Sequence, residues 1–331
     1  MRSIDAEPST AVGSGRASGK AILIGEHAVV YGVPAIAIPV PSLTLAAVAR
    51  LTSSLRRSTV DCPVEIHIDC AAGISTAGSA TVPRREDGVA VAIATASTLW
   101  GVQRGRITIE ISGNLPPARG VGFSAACAAA AVRAYAASTG NHLDAKTLFD
   151  LVQCAEQRTH GRASGVDAAT VTAAGPIIFR NGTARLLVTN LDAVVILADT
   201  GEPGLTRVAV RTVESVLNRQ PGNTRLLLNT SRRLVDSALR ALAAADADSL
   251  GARMTEFHRL LAEFGVSTIA VDRLVDAALG AGALGAKLTG GGLGGCVIAL
   301  ATPSTVPAVI EALAEQGAVR TWTIPIPGRP Q

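Results

Sequence analysis

Residues 106–138, RITIEISGNLPPARGVGFSAACAAAAVRAYAAS, set an alternating stretch, a loop of prolines and glycines, and an alanine-rich run in immediate succession. The alternation of Ile107, Ile109 and Ile111 with polar neighbours predicts a strand over 106–112. The run 124–138 has high helix propensity, and Ser124 marks its start. Between them, Pro116, Pro117, Arg119, Gly120 and Gly122 lead straight into the helix. Glycine permits close approach and positive φ, and the first-turn N–H groups of a helix, with its positive dipole end, favour negative charge. The junction therefore suits a phosphate group. An ordinary strand-to-helix connection capped by serine fits the same residues, and the loop alone does not separate the two readings.

Upstream, 20–24 and 34–40 read as short β segments around the turn-rich GEHAVVYG (25–32), and 43–48 continues the pattern. Residues 73–87 read as a loop and 88–101 as a helix. Downstream, 145–160 reads as a helix that 161–165 breaks, with strands expected over 167–172 and 176–179. From about Val194 the chain predicts a strand, helices near 207–217, 224–244, 248–264 and 267–281, and closing strands over 296–301 and 319–326. A boundary near residue 190 gives an N-terminal domain, 1–190, and a C-terminal domain, 191–331, with no repeat and no low-complexity linker. The polar start, 1–18, reads as a frayed leader whose first 13 residues are flexible.

Composition excludes several classes. With 331 residues, 48% hydrophobic and 17% charged, the chain is no disordered or fibrous polymer. The net charge of +4 is spread without a basic block, so nucleic acid is not expected as a partner. No run approaches the roughly 18 apolar residues of a spanning helix. The start lacks a basic segment followed by an apolar run, so no signal peptide is expected and the cytoplasm is the default location. Cys62, Cys70, Cys127, Cys154 and Cys296 are scattered without a CxxC pair and read as free thiols.

Two motif matches fail. SGRASGKA (14–21) lacks the first glycine and the terminal hydroxyl of a Walker A loop. GGGLGG (290–295) satisfies GxGxxG, but a strand-like CVIAL follows it where a dinucleotide fold needs a helix. Its five glycines still imply a backbone that approaches something closely. Lys20 lies in an apolar segment where a cation needs an anion, either Asp167 or a phosphate, unless its stem carries the charge out to water. Asp167, in a glycine-flanked turn, and Glu156, on the preceding helix, form a carboxylate pair suited to metal-assisted phosphoryl transfer; a turn residue and a solvated helix residue are the simpler reading. Glu26 and His27 are polar groups inside an apolar stretch, either substrate contacts or a satisfied buried pair.

Taken together, GKAILIGEHAVVYGVPAIA (19–37), NLPPARGVGFSAA (114–126) and AKLTGGGLGGCVIA (286–299) resemble the GHMP kinase superfamily, and the first resembles its mevalonate kinase family. HGRASGVDA (160–168) and DTGEPGLT (199–206) are similar to segments of the same family in the same order. Galactokinases share the GEH but continue differently, and homoserine kinases lack the aspartate matching Asp167. In the second segment Phe123 stands where the family's GLGSSAA has its first serine.

The resemblance implies an α+β protein of the GHMP kinase fold: an N-terminal ribosomal S5-like domain, a C-terminal ferredoxin-like domain, and the active site between them. It implies phosphorylation of the 5-hydroxyl of mevalonate by ATP, with Mg²⁺, on the route to isoprenoids. On that basis Asp167 is the base and Lys20 its electrostatic partner. Ser124 and Glu156 hold the metal, and Glu26, His27 and Thr206 meet the substrate. Pro117 and the run Arg119, Gly120, Val121, Gly122, Phe123, Ser124, Ala125 and Ala126 hold the nucleotide, with Gly291 and Gly292 lining the site. A homodimer is expected on the same grounds. A relative acting on another small polyol, a phosphorylated mevalonate or another hydroxyl of mevalonate, and a catalytically silent ligand sensor of the same fold, are the competing readings; loss of Lys20 or Asp167 would mark the sensor, and both are present.

Overall fold

The structure, a computed structural model, describes residues 10–52, 64–68, 80–81, 88–102, 106–219 and 221–326. Cys62, Cys70 and most of the loop expected over 73–87 lie outside the described residues. In chain order the elements are β1 (Thr10–Ile24), a single 3-10 turn (Ala28–Tyr31), β2 (Ala35–Thr52), β3 (Val64–Ile68), β4 (Ala80–Thr81), α1 (Gly88–Leu99), β5 (Arg106–Gly113), α2 (Phe123–Thr139), α3 (Ala145–His160) and α4 (Val166–Val171). There follow β6 (Ile177–Arg180), β7 (Thr183–Leu186), β8 (Ala193–Asp199), α5 (Thr206–Arg219), α6 (Pro221–Ala243), α7 (Ala247–Glu263), α8 (Ile269–Gly280), β9 (Gly285–Thr289), β10 (Cys296–Ala301), α9 (Val306–Glu315) and β11 (Arg320–Ile326).

The chain divides into two compact units. One comprises the stretch ending at Ser18, Leu43–Leu115 and Ser124–Gly161; the other comprises Gly19–Ser42, Pro116–Phe123 and the chain from Arg162 onward.

In the first unit the C-terminal part of β2 pairs antiparallel with β5, Leu45 opposite Gly113 and Thr52 opposite Arg106. β3 joins β5 in parallel register, and β4 pairs β3. β5 alternates as its sequence predicts, with Ile107, Ile109 and Ile111 buried and Arg106, Glu110 and Ser112 exposed. Helix α2 is buried on nearly every side because its alanines let backbones approach. Tyr135 of α2 is wholly buried, bonds Ser97 Oγ of α1 at 2.8 Å through its hydroxyl and packs its ring on Trp100.

The frayed leader is corrected over 10–18, which belong to β1 from Thr10 onward; residues 1–9 lie outside the described residues. A Cβ on Gly13 would strike the backbone of Ala134 and Ser138, and one on Gly15 that of Ala130 and Ala134, so this part of β1 lies directly against α2. Polar composition reads as disorder, but two side-chain-free positions make a strand that close to a helix possible.

In the second unit β8, β9, β10 and β11 form an antiparallel sheet in the order β11-β8-β10-β9. With helices α5–α8 after β8 and α9 after β10, this is the βαββαβ pattern of a ferredoxin-like domain. The start of β2 pairs β6, Ala35 opposite Phe179, and β6 turns back into β7. β3, β4, β7, β9 and α9 are elements the sequence reading does not predict, β4 falling within the stretch expected as a loop over 73–87. The strand expected over 167–172 is instead helix α4: Gly165 caps it, Ala168 and Ala169 favour it, and the Ala169 N–H donates to Gly165 O at 2.9 Å. The valines and threonines of VDAATV carry strand propensity, but six residues are too few for periodicity to decide.

Candidate active site

Lys20 is in β1, where its N–H donates to Val121 O of the glycine loop at 2.9 Å. Its side chain, 2% exposed, runs through protein to place Nζ 3.0 Å from Asp167 Oδ1, in the first turn of α4. Of the alternatives open for Lys20, the structure selects the ion pair with Asp167. Gly122, at φ +79°, lies under the lysine stem: a Cβ there would come within 2.7 Å of Lys20 Cγ.

The glycines of 290–295 approach the phosphate-loop candidate itself. A Cβ on Gly290, at φ +81°, would come 2.5 Å from Gly120 O, and one on Gly291 2.8 Å from Thr206 Oγ1, at the start of α5. The two glycine loops therefore meet backbone to backbone. Arg119 turns its guanidinium onto Asp199 at the end of β8, 2.9 Å away, and donates to Gly201 O at 3.1 Å. Gly201 N–H donates to the same carboxylate at 2.9 Å, and Gly204 N–H donates to Ala118 O at 2.8 Å. What the Arg119 position presents to a ligand is its backbone, since its charge is engaged by Asp199. Pro117 is exposed, Val121 buried and Phe123 half-buried.

Glu26 and His27 are both buried. The Glu26 carboxylate is paired through Oε1 with Lys287 of β9, itself wholly buried, and no described residue bonds its Oε2. Burial outweighs the lysine's attraction, raising the Glu26 carboxyl above its ordinary value and lowering the Lys287 ammonium below its own. His27 Nε2 lies 2.9 Å from Gly291 O; a carbonyl only accepts, so the proton is on Nε2. Burial pushes His27 down to about 4, opposed by that hydrogen bond and aided by the nearby Lys287 and Lys20 ammoniums, so the ring is neutral.

The first unit holds the remaining expected residues. Ser124, in the first turn of α2, places Oγ 3.2 Å from His160 Nε2, and the same nitrogen lies 3.6 Å from Glu156 Oε2 one turn back on α3. Ala125 and Ala126 are fully buried behind Ser124. A hydroxyl and a buried carboxylate around one imidazole offer hard oxygen donors, few in number. That suits Mg²⁺, which takes one or two protein oxygens and completes its shell with phosphate and water. Among the described residues no group of three His, Cys, Asp or Glu side chains is disposed as a metal cage.

The structure thus gathers Lys20, Asp167, Glu26, His27, Thr206, Gly120, Gly122, Gly291 and Gly292 within one unit, and Ser124 with Glu156 in the other. Sequence reasoning missed Lys287, Thr289, Asp199 and His160. Lys287 stands in an apolar run just as Lys20 does, and the rule that a cation there needs an anion applies equally to both. Among the described residues, no disulfide joins Cys127, Cys154 or Cys296.

The family model for the GHMP kinases N terminal domain matches residues 88–175, and that for the GHMP kinases C terminal matches 238–319. The mevalonate kinase of Aeropyrum pernix is 32% identical over 90% of this chain and 91% of its own. That of Thermococcus sibiricus is 33% identical over 86% and 88%. The crystal structure of L. major mevalonate kinase in complex with R-mevalonate superposes with a TM-score of 0.76 at 26% identity, covering 99% of this chain and 100% of that one. Likeness of this depth along nearly the whole length, joined to a buried lysine and an aspartate in contact, leaves one placement: the chain belongs to the GHMP kinases, in their mevalonate kinase family.

Proposed function

We propose that this phosphotransferase moves the γ-phosphoryl group of ATP to the 5-hydroxyl of mevalonate, with Asp167 taking the hydroxyl proton. The observation that carries the reading is the 3.0 Å contact of Lys20 Nζ with Asp167 Oδ1 in a chain of this family. The hydroxyl oxygen bonds to the γ-phosphorus as the bond to the β–γ bridging oxygen breaks, and the proton passes to a carboxylate oxygen of Asp167. Lys20 holds the aspartate in place and keeps a positive charge, shielded from water, where the attacking oxygen and the phosphoryl group gain negative character. Glu26 and neutral His27 orient the acceptor, Thr206 adds a hydroxyl, and the N–H groups of the 119–126 backbone bind the phosphates. Ser124 and Glu156 are the residues that would hold Mg²⁺, which would neutralise phosphate charge when bound, with His160 Nε2 hydrogen-bonded to the serine hydroxyl.

The reading extends to a homodimer, checked by light scattering, and to a cytoplasmic enzyme working on water-soluble substrates. No described helix is long and apolar enough to cross a membrane. A coupled ADP-release assay with Mg-ATP and mevalonate, run beside phosphomevalonate and galactose, tests the function. Turnover with mevalonate alone supports it; folded protein that releases ADP with none of the three sinks it.

A further inference from the structure

β9 is the edge strand of the four-stranded sheet, and its side chains engage β1 within the same unit. Thr289 Oγ1 accepts from Ile22 N–H at 2.9 Å and donates to Ile22 O at 3.2 Å, so one hydroxyl satisfies both main-chain groups of a residue two places from Lys20. Lys287 Nζ, with no exposed surface, donates to the same Ile22 O at 3.3 Å, to Leu288 O at 2.5 Å and to the Glu26 carboxylate. The ammonium thus spends its donors on fixed protein acceptors, at the strand of the catalytic lysine and at the start of the loop that carries Glu26 and His27. A buried cation so committed is costly to keep. An apolar side chain would fill the position at less cost if packing were all that was required.

We infer that Lys287 is a positioning residue: through Glu26 and Ile22 it sets the loop at 25–27 and the register of the strand bearing Lys20. This rests on the reading that Glu26 and His27 orient the acceptor. The lysine acts on acceptor geometry and leaves the nucleotide's binding to the loop at 119–126.

The test uses full-length Lys287→Met and Thr289→Val, with calorimetric binding of a non-hydrolysable ATP analogue, steady-state kinetics with mevalonate, and hydrogen exchange of the backbone. Misplacement of a catalytic pair by about 1 Å costs up to roughly a hundredfold in rate, so kcat/KM for mevalonate is expected to fall about 10- to 100-fold in Lys287→Met. Nucleotide affinity is expected to fall much less than that, because no residue in direct contact with the nucleotide is substituted. In a cycle with Glu26→Gln the two losses are expected to overlap, because Lys287 acts through Glu26. Losses that multiply, a parallel fall in nucleotide affinity, or unchanged kinetics overturn the inference. Should Lys287→Met not fold, Thr289→Val, which keeps shape and loses both bonds to Ile22, must show the same acceptor-specific loss. Exchange reads the positioning without turnover: segment 20–28 exchanges faster in the variants while 193–199 does not, and equal exchange overturns the inference. A wild type inactive with mevalonate counts against the function, not against this result.

Discussion

Lys20 reaches Asp167 across 3.0 Å with its own side chain 2% exposed and that of the aspartate 31% exposed, so the pair has one member in protein and one at the surface. The more exposed side chain is the one proposed as the base, and the buried one is the cation proposed to hold it in place. Asp167→Asn keeps an acceptor for the ammonium but loses the base, and is expected to lower kcat by roughly 10²- to 10⁴-fold with little change in mevalonate KM. Asp167→Ala also leaves a buried cation unpaired and is expected to cost about 3 kcal/mol or more of stability. Thermal melts beside steady-state kinetics check both; a kcat for Asp167→Asn within tenfold of wild type sinks the role of base.

Arg119 and Asp199 form the corresponding pair for the loop proposed to bind phosphate, 13% and 7% exposed. Asp199 also holds Gly201 N–H, so a single carboxylate ties the loop at 116–122 to the turn after β8. Asp199→Ala is expected to raise the KM for ATP about tenfold and cost roughly 3 kcal/mol, because Arg119 is left half-satisfied. A double-mutant cycle with Arg119→Met should return a coupling of about 1–3 kcal/mol; additive losses would show that the pair does not act as a unit.

The order of elements was legible where period and punctuation agreed. The alternation at 106–112, the alanine run after Ser124 and the glycine break after His160 each match an element in the structure. The site was legible at Lys20, since a cation in an apolar strand needs an anion wherever the fold places one. Asp199 and Thr289 were not, because what they do is bond residues 80 and 267 positions away, and local pattern carries no record of such partners. His160 was masked by its place in the last turn of α3, where a basic residue is already explained by the helix dipole. Helix α4 was misread because its β-branched residues argue locally for a strand, while the capping Gly165 that starts it looks like any other turn glycine.

Ser124 and Glu156 lend themselves to a metal titration. Ser124→Ala removes a hydroxyl without touching the carboxylate, and the expected result is a several-fold rise in the Mg²⁺ needed for half-maximal rate at fixed ATP, about 1 kcal/mol of lost coordination. Glu156→Gln should raise it further, and chelation should abolish turnover in every variant. An unchanged Mg²⁺ dependence in both would remove these two oxygens from the metal's shell.

Gly290 tests how closely the glycine loops must meet. At φ +81°, with a would-be Cβ 2.5 Å from Gly120 O, alanine is strained by its own backbone and by a clash that neither main chain can easily relieve. Gly290→Ala is expected to lose about 2–3 kcal/mol of stability and weaken ATP binding more than mevalonate binding. Gly140→Ala, also at positive φ but with nothing near the added atom, is expected to lose only about 1 kcal/mol and no activity. Denaturant melts of the two separate clash from backbone strain; equal losses would show that the close approach is not what matters.

His27 gives the fold an acid limit whose sign can be worked out. Unfolded, the imidazole takes its proton near 6.5; folded, buried and donating from Nε2 to Gly291 O, it resists until about 4. Between those values the unfolded chain holds the extra proton, so this residue's contribution is complete above pH 6.5, falls as the pH drops, and is exhausted below about 4. From pH 7 to pH 5 the expected loss is about 2 kcal/mol. His27→Gln keeps an N–H for the Gly291 carbonyl and removes the titration, so its stability should decline less over that interval by about the same 2 kcal/mol. Reading the difference between the two proteins cancels the opposing proton uptake of Glu26, whose burial raises its own value. Parallel decline of wild type and variant would mean that the imidazole is not held neutral by the fold.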